Sequence, residues 1–257
     1  MNNGVFLALT LLASCLAENA WSCDELPEKI TSIIANTNDA LLVGEYHGTK
    51  ESPKHFFDIV CNSIDISSKK ITVAIELIEG DITLNGDNQS MTKDIEKSTI
   101  WNEQHDGKTS AAMFELLQKL NQLVSEDKID VVFFDSDKQQ RDLEMARNIK
   151  ESLLGNTLVI ALTGNRHNKI KHGNSWDLGS KNMGAYLAEM GVDLASINLL
   201  VNGGHAWVCM PNCTSHDLKP INLDDRQEVF QAGSESRYQY HWKIGAVSSS
   251  KPAIYSR

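Results

Sequence analysis

Hydrophobic positions along the chain fall into short continuous apolar runs separated by segments of helical period. "ALLVGEYH" (40–47), "KKITVAIEL" (69–77), "KIDVVFFDS" (128–136), "NTLVIALTG" (156–164) and "ASINLLVNGG" (195–204) are of strand length and apolar on both faces, as central parallel strands require. Between them lie helical patterns. "SPKHFFDIVCNSI" puts Phe56, Ile59, Val60 and Ile64 on one side, with Ser52 and Pro53 placed to start the helix. "SAAMFELLQKLNQLV" carries a stripe of Met113, Leu116, Leu117 and Leu120, and "RDLEMARNIKESLL" and "MGAYLAEMG" follow later. A short amphipathic helix is expected in "CDELPEKITSIIANTNDA".

Strands alternating with helices predict an α/β fold: a mainly parallel central sheet, helices on both faces, and an added antiparallel edge strand. That edge strand is expected in "YQYHWKIGAVSSSKPAIYSR" (238–257). The stretch from 79 to 110 is the least regular and is read as a lid or an insertion. No linker, low-complexity tract or repeat intervenes, so residues 23–257 read as one domain.

The first segment changes the picture. "MNNGVFLALTLLASCLAENAWSC" has an apolar core from Val5 to Ala13, too short to span a bilayer and suited to a secretory signal over residues 1–22. "LASC" also fits a lipoprotein signal ending before Cys15, although simple cleavage is favoured. A lipid there would be the chain's one link to a membrane. An exported chain, periplasmic or extracellular, accounts for the other cysteines: Cys209 pairs most naturally with Cys213 across a five-residue loop, leaving Cys23 with Cys61. The net charge of −10 argues against nucleic acid, which needs clustered Lys and Arg.

Ligands of open parallel sheets bind beyond the carboxyl ends of the strands. Those ends here are polar: Glu45 and His47, then Glu76, then Asp135 and Asp137, then Asn165, Arg166 and His167, then Asn202 and His205. Glu76 sits inside "VAIEL" and is costly to bury without a cation, a metal or donors, so a functional role is expected, or else a salt bridge to Arg141 or exposure at the strand tip. His47 and His167 each follow a glycine by three residues, Gly44 and Gly164, and glycine there is expected to turn the chain sharply off the strand. His47, Glu76 and His167 are a candidate ligand set for a divalent metal that activates water. Alternatively, a histidine acts as general base with a carboxylate orienting it. Ser136 is expected to cap the helix after the third strand, with Gln139 reaching back. Arg141 opens that helix, to bind substrate or an oxyanion, or to pair with Glu144 or Glu45. Serine-elbow, Walker and dinucleotide-binding motifs are absent.

"LLVGEYHGTKES", "VAIEL", "RDLEMARNI" and "LTGNRHNKI…G", in that order, resemble the superfamily that joins erythromycin esterases, ChaN haem-binding lipoproteins and Tiki/TraB metalloproteases. The resemblance covers roughly residues 40–200 and is closest to a ChaN-like branch. It implies a rim site in which Glu45, His47, Glu76, Arg141 and His167 match the family's polar positions. Two functions follow as expectations. One is a hydrolase of ester or peptide bonds, in which His47, helped by Glu45, Glu76 and His167, activates water, with or without a metal. Arg141, Arg166, Asn165 and His205 would then bind a small-molecule or peptide ligand. The other is a protein that binds haem or a metal without turnover.

Overall fold

The computed structural model describes residues 23–254 apart from 79, 81, 175 and 222–227. The expected leader, Cys15 included, lies outside the described residues. In chain order the elements are α1 (Glu28–Asn36), β1 (Ala40–Glu45), α2 (Glu51–Ile66), β2 (Lys70–Ile75), α3 (Asn88–Lys97), α4 (Thr99–Glu103), α5 (Ala111–Ser125), β3 (Ile129–Phe133), α6 (Arg141–Glu151), β4 (Thr157–Gly164), α7 (Met183–Glu189), β5 (Leu194–Cys209), β6 (Cys213–Leu218), β7 (Val229–Gln231) and β8 (Tyr240–Val247).

Among the described residues, eight strands form one sheet in the order β3-β2-β4-β1-β5-β8-β7, with β6 paired to β5. The pairs from β3 across to β8 are parallel. The antiparallel edge strand is β7, which pairs with β8. The final segment, expected to be that edge, instead forms β8 and runs parallel to β5. Its alternation reflects a strand near the margin of the sheet, where one face is less fully covered.

The doubly apolar runs fill two cores. On one face Leu41, Val43, Ile71, Val73, Ile75, Ile160 and Leu162 meet α1, α2 and α5. On the other Ala40, Leu42, Ala74, Val159 and Ala161 meet Met145 and Ile149 of α6 and Met183 and Leu187 of α7. The small residues on the second face let α6 and α7 approach closely. The irregular stretch packs down as an insertion and is no free lid: Met91, Ile95 and Trp101 are buried in the first core. Each such burial stabilises by roughly 1.5–3 kcal/mol.

Both expected disulfides form. Cys23–Cys61 ties the segment ahead of α1 to α2, and Cys209–Cys213 closes the turn between β5 and β6. Among the described residues, no helix is long and apolar enough to cross a membrane.

The topology also places a crevice. The chain leaves β1 for α2 on one face, whereas β4, its hydrogen-bonded neighbour, leads to α7 on the other. Loops from adjacent parallel strands that diverge in this way open a cleft at their carboxyl ends.

Candidate active site

The polar strand ends gather at this cleft. Glu45 closes β1 opposite Gly164 of β4. Glu76 follows β2 directly, with its backbone N–H still donating to Leu162 O. Glu76 is 4% exposed, so its carboxylate depends on donors. It has them: Oε2 accepts from Thr163 Oγ1 and from the Gly164 backbone N–H, both at 2.6 Å, and Oε1 accepts from Arg141 Nη2 at 2.7 Å. The salt bridge to Arg141 is therefore present, and it coexists with the histidines.

His47 Nδ1 lies 2.8 Å from Glu45 Oε1, and His167 Nδ1 lies 2.7 Å from Asp142 Oδ1. With both Nδ1 atoms donating to carboxylates, both Nε2 atoms turn inward, each 3.8 Å from the same Glu76 Oε1. Two carboxylate–imidazole pairs thus face one buried carboxylate across the β1–β4 cleft. Arg141 Nη1 stands 3.2 Å from His167 Nε2. Arginine only donates, so His167 Nε2 accepts and the His167 proton sits on Nδ1, toward Asp142.

Burial alone would lower the His47 pKa, but the Glu45 charge and hydrogen bond, joined by those of Glu76, outweigh it and push it up to about 10. His47 is therefore an imidazolium at neutral pH. Burial would raise the Glu76 carboxyl, yet His47, with Lys108 behind it, holds it well below the carboxylate range. Asp135 and Asp142 are also low, against the pull of burial, because Arg141 bonds the first and His167 the second.

The glycines act differently from the expectation. Gly164 is not in the left-handed region; a Cβ there would stand 2.8 Å from His47 Nε2, so the missing side chain makes room for the ring. The positive φ belongs to Gly48 (79°), one residue past His47, where the chain turns against Trp207 O. Gly107 lies against Gly48, and this contact brings the neighbouring Lys108 to the cleft.

Two charged participants went unread in the sequence. Lys108 Nζ is 3.0 Å from Asp135 Oδ2 and 3.8 Å from Glu76 Oε1. It comes from the insertion, which has no periodicity to flag it. Asp142 anchors His167 and also accepts the Met183 N–H at 2.8 Å, joining α6 to α7. Its signal was its place beside Arg141 in the first turn of a helix. Asp135, noted only as a strand end, accepts from Arg141 Nε at 2.7 Å and Nη2 at 2.8 Å.

Other expected residues stand apart. Arg141 pairs with Glu76 and Asp135, whereas Glu144 pairs with Lys138 and Arg147. Ser136 accepts from Lys138 N in a turn, and Gln140 takes the N-cap position of α6 without a side-chain cap. His205 is exposed on the β5–β6 hairpin and pairs with Asp217 at 3.0 Å rather than with a member of the cluster. Asn165 flanks Gly164, and with Tyr46 and Asn198 it lines a separate cleft of about 280 Å³. Arg166 points at the Trp176 ring.

The metal expectation for His47, Glu76 and His167 does not fit this geometry. The Arg141 guanidinium occupies the space between Glu76 Oε1 and His167 Nε2 that a cation would need. A metal on His47 Nε2 would have to displace the proton that Glu45 and Glu76 hold on that ring. Among the described residues, no group of three His, Cys, Asp or Glu is arranged to hold a metal ion.

Neither a protein-family model nor a curated protein matches the chain. Among solved structures, a succinoglycan biosynthesis protein superposes with a TM-score of 0.61 at 11% identity, covering 87% of this chain and 91% of that one. A protein from Bacillus cereus superposes at 0.58 and 12% identity, over 86% and 91%. This chain shares their α/β fold, and at such identities the likeness extends no further. A ChaN of Campylobacter jejuni, solved with cofacial haem, aligns at a TM-score of 0.40 and 11% identity over 67% of this chain and 85% of that one. At that score the superposition bears on neither fold nor ligand.

Proposed function

We propose that this chain is an exported hydrolase of ester or peptide bonds in which Glu76 and His47 exchange a proton across the cleft, without a metal. The observation that carries the reading is the approach of two imidazole Nε2 atoms to one Glu76 oxygen, each at 3.8 Å, while Glu45 and Asp142 hold the opposite ring nitrogens. The two disulfides support export to an oxidising compartment.

The raised His47 pKa moves the base role from His47 to Glu76. Water attacks the acyl carbon and gives one proton to Glu76, while the His47 Nε2–H goes to the leaving group. Glu76 is a weak base at rest because the His47 charge depresses it. As His47 releases its proton that charge vanishes, so the basicity of Glu76 rises when it is needed. Glu76 then returns its proton to His47, which restores the resting state. Arg141 and Lys108 position Glu76, and Asp142 orients the His167 ring beside it.

The test is hydrolysis of a panel of nitrophenyl esters and fluorogenic peptides by chelator-treated protein, alongside Glu76→Gln and His47→Ala. The wild type keeps its rate after chelation, and each variant loses about 10²-fold or more. Rates equal to wild type in both variants, or a chelator-sensitive wild type, contradict the mechanism. Haemin titration addresses the alternative role: a saturable Soret band with no hydrolysis favours haem binding without turnover.

A further inference from the structure

Three cations outside the proton network lie together, two of them against one exposed indole. Trp176 is 68% exposed. Arg166 Cζ and Lys169 Nζ both lie 5.9 Å from its ring centroid. Arg237 packs over Gly173, where a Cβ would be 3.1 Å from its Nη2, and its charge acts on Lys169. The Arg166 charge acts on Asp142, the partner of His167, so the group borders the β1–β4 cleft.

The bonds these cations make are to neutral groups. Lys169 Nζ donates to Asn174 Oδ1 at 2.7 Å and Arg237 Nε to His172 O at 3.1 Å. None of the three forms an ion pair with a described carboxylate. The nearby acids are engaged: Asp142 with His167, Glu189 with Lys181 and His172, and Asp177 with the Gly179 N–H. Burial, with the charges of Arg237 and Arg166 added, lowers the Lys169 pKa, which is the mark of cations that repel one another. Of the three, Arg166 faces the Asp142 carboxylate, whereas the charges acting on Lys169 are those of Arg237 and Arg166. A cluster with one acid for three cations is stabilised by an anion from outside.

We infer that Arg166, Lys169 and Arg237, with Trp176 beside the first two, form a subsite for a multivalent anionic group, a phosphate or a polycarboxylate, on the ligand that enters the adjacent cleft. The assignment of that ligand as substrate rests on the hydrolytic reading; the binding itself does not. An anion here is held by charge-assisted hydrogen bonds from two guanidinium groups and an ammonium.

The experiment is tryptophan fluorescence of the full chain titrated separately with pyrophosphate and with citrate at fixed ionic strength. A saturable change with pyrophosphate alone assigns phosphate, with citrate alone carboxylate, and with both a general anion site. Arg166→Gln and Arg237→Gln, checked for folding by circular dichroism, each weaken binding by about tenfold or more. Trp176→Phe removes the optical signal. No saturation with either anion, affinities unchanged in both arginine variants, or a full signal in Trp176→Phe overturns the inference. Glu76→Gln, which disables the proposed hydrolysis, leaves the anion affinity in place, so the two readings fail separately.

Discussion

Replacing Arg141 by methionine removes the cation at the centre of the network while keeping most of its apolar stem. The guanidinium makes two bonds to Asp135, at 2.7 and 2.8 Å, and one to Glu76 at 2.7 Å. Both carboxylates are buried, at 7% and 4% exposure, and neither can recover the loss from water. Breaking a buried pair by deleting one partner costs about 3–5 kcal/mol. Lys108, 3.0 Å from Asp135 and 3.8 Å from Glu76, remains as a partial counter-ion, and Arg141 itself is about a third exposed, so the lower end applies. The expected loss is about 3 kcal/mol at pH 7, read from urea unfolding with an unchanged slope. The pH dependence has a definite sign. Asp135 and Glu76 titrate below their ordinary values of 3.8 and 4.5 when folded, so their stabilisation is present above those values and lost as pH falls through the lower folded ones. Without Arg141 the folded values rise, protonation relieves the variant earlier, and the gap to wild type narrows on acidification. A loss of no more than about 0.5 kcal/mol at pH 7, or a gap that widens in acid, refutes the reasoning.

Gly164→Ala puts a methyl 2.8 Å from His47 Nε2, at the tip of a side chain that can swing aside. Stability should fall by about 1 kcal/mol while hydrolysis falls by an order of magnitude or more; melts and rates on the same sample check both. His47, raised to about 10 from 6.5, contributes stability that is full below 6.5 and lost as pH rises through 10. Urea unfolding between pH 7 and pH 11 should therefore show a decline that His47→Gln lacks. Cys23→Ser with Cys61→Ser opens a link across a sequence separation of 38 and should cost about 4 kcal/mol on the chain-entropy account. Opening Cys209–Cys213, separated by 4, should cost about half of that.

The architecture was readable because the parallel strands are apolar on both faces, and period 2 then assigns Leu41 and Val43 to one core and Ala40 and Leu42 to the other. The cluster was half readable. Glu45, Glu76 and His167 are set by strand ends, so their convergence follows from the order of the sheet. Lys108 and Asp142 were not readable in the same way, because their positions depend on the docking of Gly107 against Gly48 and of α6 against α7. The role of Gly164 was misread for a related reason: it answers to a ring contributed from another strand, which no local pattern records. His205 shows the converse limit. β5 continues past the cleft into a hairpin, and a polar residue after a strand-like run need not mark the strand's end.

The central claim is that His47 and Glu76 share one coupled titration. It is tested most directly by following the His47 ring carbons through a pH titration by NMR, in wild type and in Glu76→Gln. A midpoint near 10 that moves downward in the variant is the expected result. A midpoint near the ordinary 6.5 in wild type, unchanged by the substitution, contradicts the account.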